Sequence, residues 1–311
     1  MKPINMLILV NCRGWAWDHK AKNLKKNLTK YGINSDIFYM YDVIPDPRKG
    51  DFDTGRQLYK MIPFENYDVI LVFSLLLKPV FNERLDLSKT FIGITSHMSY
   101  SGEASNDTDL LFLNSFQGVF VINRILQQEF YGKIHNLYYC PNGVDIELFN
   151  VQDSINLSGD LRIGWVGDPY HAAGKGYFDF IKPLDSLPGV KLFIADSESQ
   201  YRPYIEMPFF YNSIDLYVCA SLSEGTPNPC LEALSCGRPV ITTQVGNMPE
   251  LIKDGINGYI INRDFIELKK KVEFLRDNRF LLYFMSKNAR ATILNWSWEK
   301  QAKNYLSMIR G

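Results

Sequence analysis

Short apolar runs alternate with longer amphipathic stretches along the chain. "INMLILVN" (4–11), "NSDIFYMY" (34–41), "YDVILVFS" (67–74) and "KTFIGITSH" (89–97) read as strands. Between the first two lies "DHKAKNLKKNLTKYG" (18–32), a basic helix stopped at Gly32. "QGVFVINRILQQEFYG" (117–132) reads as a strand running into a helix, and "NLYYCPNGVD" (136–145) as a last strand and turn. The polar segment "NVQDSINLSGD" (150–160) is the predicted linker. A second series follows: "LRIGWVG" as a strand, "KGYFDFIKPLDSLPG" (175–189) as a helix, then "VKLFIADS", "DLYVCAS" and "PVITT" as strands, and a long helical tail from Phe265. "WSWEKQAKNYLSMIR" (296–310) is a separate helix started by Ser297, with Trp298, Ala302, Tyr305 and Ile309 on one face. Strand–helix alternation of this kind predicts an α/β protein with parallel sheets. The expected domains are 1–150, 151–295 and a helical tail over 296–311.

Composition narrows the reading. Of the 311 residues 46% are hydrophobic and 22% charged, an ordinary globular balance. The 34 basic and 34 acidic residues divide evenly at residue 150, 16 against 16 and then 18 against 18. Neither half has the positive surplus expected of a protein that grips nucleic acid by its phosphates. Cys12, Cys140, Cys219, Cys230 and Cys236 are an odd number without a C-x-x-C pair, and read as thiols in a reducing compartment. The opening "MKPINMLILVNCRGW" has too short an apolar core for a signal peptide. No run reaches the roughly 20 apolar residues of a membrane span. A cytoplasmic protein, peripheral to a membrane at most, is expected.

Ligands of open parallel sheets sit at the carboxyl ends of the strands, so with two such domains the expected site is the cleft between them. "SEGTPNPCLEALSCGRP" (223–239) supplies its chemistry. Asn228 suits a helix N-cap and Pro229 the first helical position, while Gly237 suits the left-handed residue past the end. A helix from about Pro229 to Cys236, starting just after a strand, presents an anion-binding N-terminus. The amides of Gly225, Thr226, Asn228 and Cys230 are the expected donors. Glu232, one turn in, would be repelled by phosphate but has two acceptor oxygens that match a vicinal diol such as a ribose. Glu224, ahead of the helix, is placed for a second polyhydroxylated group. Diol, phosphate and sugar in that order suit a nucleotide sugar.

The stretch "EGTPNPCLEALSCGRPVITTQVGNMPELIKDGINGYII" (224–261) resembles the E-x7-E signature region of retaining GT-B glycosyltransferases, most like family 4. The family's G-x-x-P-E-L-I-x-D-G-x-N-G is matched by Gly246, Pro249, Glu250, Leu251, Ile252, Asp254, Gly255, Asn257 and Gly258. "CPNGVD" and "WSWEKQAKNYL" are similar to the end of that family's first domain and to its tail helix, which crosses back to the N-terminal domain. The resemblance implies two Rossmann-like domains facing a central cleft, acceptor on the first and nucleotide sugar on the second. It implies that Glu232 holds the donor ribose, that Glu224 lies near the transferred sugar, and that Gly225 to Asn228 contact sugar and phosphate. Gly167 and Lys175, in "WVGDPYHAAGKGYFD", match the family's G-R-…-K-G segment, and Lys175 would neutralise the departing diphosphate. His97, at a strand end, would lie beside the sugar, and Gly14 would form a close-approach loop after the first strand.

The sequence also departs from that pattern. Asp168 stands where the family commonly has arginine; His171 and Arg202 are the candidates to substitute for it. Two alternatives follow: a nucleotide-sugar-binding protein that does not transfer, or another GT-B enzyme such as a sugar-nucleotide epimerase. The triplets "DFD" (51–53) and "DTD" (107–109) read as solvated loops, and neither a metal nor another cofactor is expected. Trp15 and Trp17 are candidates for stacking on an acceptor ring or for simple packing. Lys22, Lys25, Lys26 and Lys30 recur at helical spacing, a face that is either solvated or docks weakly on anionic headgroups or an anionic acceptor.

Overall fold

The computed structural model describes residues 2–39, 62–74, 85–96, 107–168 and 171–311, with the backbone alone at 107 and 108. The chain divides into two units, Met1–Asn142 with Trp298–Gly311, and Gly143–Ser297. Each is built on an all-parallel sheet covered by helices, which is why central strands such as Val69–Val72 and Gly118–Val121 are continuous buried apolar runs, whereas the edge strand Ile33–Tyr39 alternates.

In the first unit the strands are β1 (Ile4–Val10), β2 (Ile33–Tyr39), β3 (Val69–Val72), β4 (Thr90–Ile94), β5 (Gly118–Val121) and β6 (Leu137–Tyr139), in the spatial order β2-β1-β3-β4-β5-β6. Helix α1 (Ala16–Leu28) buries Ala21, Leu24 and Leu28 and ends through a short 3-10 turn at Gly32, whose φ of 77° only glycine adopts freely. Helices α2 (Asp107–Asn114) and α3 (Arg124–Phe130) follow. The "DTD" triplet therefore opens a helix rather than lying in a loop, while "DFD" lies outside the described residues.

Two residues on the buried face of α1 are not apolar, Asp18 and Lys20. Lys20 is 2% exposed, and its ammonium stands 4.6 Å from the ring of Phe73, 5.0 Å from Phe120 and 5.4 Å from Tyr305, with no hydrogen-bond partner. Burial pulls its pKa down to about 7, against a small opposing effect of Cys140. Tyr305 belongs to the terminal helix (Trp298–Arg310), which packs along α1; its hydroxyl donates to the Cys140 carbonyl at 2.6 Å.

The second unit carries β7 (Leu161–Gly167), β8 (Val190–Asp196), α4 (Met207–Ser213), β9 (Leu216–Cys219), α5 (Asn228–Ser235), β10 (Val240–Thr243), α6 (Met248–Leu251), β11 (Gly258–Ile261), α7 (Phe265–Asp277) and α8 (Arg279–Ile293); the terminal helix is α9. The sheet order is β11-β10-β9-β7-β8. The unit begins at Gly143, earlier than the residue-150 boundary read from the sequence. Phe149 is wholly buried in this unit's core, edge-on to Tyr211, and its carbonyl accepts from Ser235 Oγ at 2.5 Å and Arg290 at 2.9 Å. A second correction concerns 175–189, expected as one helix. The segment forms a π-turn over Tyr177–Ile181 and a 3-10 turn over Lys182–Ser186, because Pro183 has no amide hydrogen to continue an α-helical ladder. Asp215, fully buried, ties three stretches of chain together by accepting from the Asn156 amide at 2.9 Å, Arg162 Nη2 at 2.7 Å and Arg279 Nη2 at 3.0 Å. Among the described residues no helix is long and apolar enough to cross a membrane.

Candidate functional site

The loop between β9 and α5 is held where it leaves β9. Thr243 Oγ1, at the end of β10, donates to the carbonyl of Ser221 at 2.6 Å. The Leu222 amide donates to the Gly174 carbonyl at 2.8 Å, which binds this loop to the segment bearing Lys175. Gly176 makes that approach possible, since its φ is 71° and a Cβ there would stand 2.6 Å from the carbonyl oxygen of Ala220. As a result Lys175 Nζ donates to Glu224 Oε1 at 2.8 Å across 49 residues of sequence, and Ser221 Oγ donates to the same oxygen at 2.8 Å. Burial depresses the Lys175 ammonium, but the Glu224 carboxylate outweighs it and holds the pKa above its ordinary value. Lys175 is therefore charged at neutral pH.

Helix α5 starts at Asn228 with Pro227 as its N-cap, one residue earlier than the sequence suggested. It ends on Gly237 at φ 70°, whose amide donates to Leu234 O at 3.0 Å while the Arg238 amide donates to Ala233 O at 2.8 Å. That is the paired closure of a Schellman end. Two of the four amides expected to face an anion are spent within the loop: Asn228 N donates to Thr226 O at 2.9 Å and Cys230 N to Pro227 O at 2.8 Å. The prolines at 227 and 229 force this tight turn, and the site loses those donors. Glu232, one turn into α5, accepts from the hydroxyl of Tyr211 at 2.6 Å, and burial pushes its carboxyl up to about 7 against the lowering effect of that hydroxyl.

Gly167 ends β7. A Cβ there would lie 2.0 Å from the Trp165 ring, so the glycine leaves room for that indole. Beside it lies a cavity of about 240 Å³, lined by Trp165, Tyr177, Phe178, Ile194, Asp196 and Gln200 among others. The Trp165 and Tyr177 rings lie 4.8 Å apart, tilted by 40°. Sequence reading did not single out this aromatic wall; the Tyr177–Phe178 pair directly after Lys175–Gly176 was the only trace of it.

Other residues named from the sequence lie elsewhere or take other roles. Gly14, in the first unit, has φ 76° with open space around it, and its amide donates to Asp18 Oδ2 at 2.7 Å. The glycine serves this turn. His97 lies outside the described residues. His171 Nδ1 stands 3.9 Å from Asp168 Oδ1, and Arg202 lies over the Phe210 ring at 5.8 Å. Lys22 is paired with the buried Asp18 at 2.7 Å and Lys30 with Glu299 at 2.7 Å, which neutralises two of the four cations on the α1 face. Trp17 packs edge-on against Phe73, while Trp15 is exposed.

Residues 183–278 match a family described as "Glycosyl transferases group 1". The chain is 34% identical over 174 residues to spore coat protein SA of Bacillus subtilis, covering 53% of this chain and 45% of that protein. It is 31% identical over 100 residues to an uncharacterized glycosyltransferase of Methanocaldococcus jannaschii, covering 32% and 28%. The chain thus spans less than half the length of these relatives. Among solved structures, sucrose-phosphate synthase from Thermosynechococcus elongatus superimposes with a TM-score of 0.77 at 16% identity, over 99% of this chain and 98% of that one. Anabaena HepE in complex with UDP and glucose gives 0.71 at 16% identity, over 98% and 99%. The fold is the two-domain, Rossmann-like GT-B fold.

Proposed function

We propose that this protein is a retaining glycosyltransferase of the E-x7-E type, moving a sugar from a nucleotide-sugar donor to an acceptor hydroxyl. The observation that carries the reading is the Lys175–Glu224 pair beside the N-terminus of α5, at the carboxyl end of β9. It joins the cation that a departing diphosphate requires to the carboxylate that a transferred sugar requires. The match to the group 1 glycosyltransferases over 183–278 and the UDP held by HepE support the same donor class.

In this reading the ammonium of Lys175 exchanges its carboxylate partner for phosphate oxygens as the donor arrives, and the amides of Gly225 and Thr226 contact sugar and phosphate. Glu232 accepts from the ribose diol, and the base enters the cavity walled by Trp165 and Tyr177. Released from Lys175, Glu224 orients the sugar together with His97. The acceptor hydroxyl attacks from the face the diphosphate leaves. The reading assigns no metal or other cofactor and takes the chain as cytoplasmic.

Thermal-shift screening of UDP-, ADP- and GDP-sugars would identify the donor, and chromatography would follow its consumption. Lys175→Ala is expected to lower turnover by about 100- to 1,000-fold, the usual cost of one electrostatic contact to a developing charge, with circular dichroism unchanged. Turnover equal to wild type would refute the assignment.

A further inference from the structure

Four buried hydrogen-bonding atoms stand unpartnered in the two loops that follow β9 and β10: Ser223 Oγ, Thr226 Oγ1, and both Oδ1 and Nδ2 of Asn247. Asn247 is wholly buried. Its loop lies directly against the other, since a Cβ on Gly246 would come within 2.6 Å of the Gly225 carbonyl oxygen and 3.0 Å of Pro227 Cδ. Buried amides elsewhere in this unit are satisfied. Asn257 accepts from the Lys253 amide at 2.8 Å and donates to Leu251 O at 2.9 Å and Thr292 Oγ1 at 3.0 Å. Asn212 accepts from the Gln152 amide at 2.9 Å and donates to Pro208 O at 2.8 Å. An amide with neither end paired is the exception, and leaving a buried polar group unmade is expensive.

The chemistry of the four atoms restricts what completes them. Asn247 offers one donor and one acceptor side by side, and the two hydroxyls each do both. A phosphate would satisfy Nδ2 and leave Oδ1 facing lone pairs; a cation would satisfy Oδ1 alone. A sugar hydroxyl, which donates and accepts, satisfies the amide. Glu224 sits between Ser223 and Thr226 in the same loop, so these atoms adjoin the carboxylate already assigned to the transferred sugar. We propose that Asn247, with Ser223 and Thr226, recognises the hydroxyl groups of the transferred sugar and determines donor-sugar specificity. The inference rests on the donor site proposed above. Because the amide is closed to water, a bond made to it there has no solvent competitor.

The test separates nucleotide from sugar. Calorimetric titration of the intact protein with UDP, ADP and GDP, and with the corresponding glucose derivatives, gives for the preferred base the ratio of nucleotide to nucleotide-sugar affinity. Asn247→Ala is expected to leave nucleoside-diphosphate affinity within about twofold and to weaken the glucose derivative about tenfold, the scale of one buried hydrogen bond. The isosteric Thr226→Val should weaken it less, in the same direction. Equal loss for both ligands would make Asn247 a structural residue and overturn the inference, as would no loss for either. If the wild type binds none of the nucleoside diphosphates, the donor reading itself falls; if it binds one but the sugar adds no affinity that Asn247→Ala removes, the specificity role alone falls.

Discussion

Replacing Lys20 with methionine should stabilise the first unit. The side chains are similar in length, so the ring enclosure formed by Phe73, Phe120 and Tyr305 stays filled. The amine has a pKa of about 7 in the fold against an ordinary value of 10.5. At about 1.4 kcal/mol for each tenfold loss of proton affinity, the fold gives up roughly 4 to 5 kcal/mol near pH 7 by holding this group out of water. Attraction of the desolvated ammonium to the rings, about 2 kcal/mol, offsets part of it. A net gain of about 2–3 kcal/mol in Lys20→Met is expected at pH 7. The sign of the pH dependence follows from which state holds more protons. Between pH 7 and 10.5 the unfolded chain keeps Lys20 protonated while the folded chain does not, so stability conferred through this group rises with pH. The gap between variant and wild type should therefore be widest below about pH 7 and close toward about pH 10. Urea denaturation of both proteins at about pH 6, 7.5 and 9 measures it, and differences between them cancel the other titrating groups. A variant that is less stable at the lowest pH, or a gap that does not change with pH, would refute the reasoning.

Two further outcomes are expected in the second unit. Tyr211→Phe removes the hydroxyl that lowers the Glu232 carboxyl, so its pKa should rise further above about 7; nucleotide affinity measured across neutral pH should then need a higher pH to reach its plateau, and an unmoved profile would count against Glu232 as the diol acceptor. Asp215→Ala leaves Arg162 and Arg279 without their buried counter-charge, a loss of about 3–5 kcal/mol, visible as a marked fall in the unfolding temperature of Gly143–Ser297. Burial opposes but its hydrogen bonds to Arg162 and the Asn156 amide outweigh it and hold the Asp215 pKa down, so this contribution is present at neutral pH and is lost as pH falls through the acid range.

Much of the second unit was readable because its signals are local. Gly237 and the prolines around α5 announce a helix within one residue of where it lies, and short apolar runs mark strands such as β3, β5 and β9. What the sequence concealed depends on contacts across distance. Nothing local marks Tyr211 as the partner of Glu232, 21 residues on, nor Lys175 as paired with Glu224 before any ligand arrives. The anion site was overcounted because consecutive amides in a proline-bounded turn bond to one another, which spacing does not reveal. Asn247 passed unnoticed for a similar reason: an asparagine in a loop is ordinary, and only its burial beside a second loop leaves both ends unpaired. The basic face of α1 shrank because Asp18, one turn before Lys22, pairs with it and the fold brings Glu299 to Lys30.

The packing of α9 against α1 also fixes an order of events during synthesis. Tyr305, Ala302 and Met308 complete the hydrophobic interior around β1 and β5, yet they are made only after all of Gly143–Ser297. At typical elongation rates that interval is on the order of ten to thirty seconds. Through it the earlier domain waits with part of its interior uncovered. Full protease protection of the upstream domain should accordingly appear only once Trp298–Arg310 has been made.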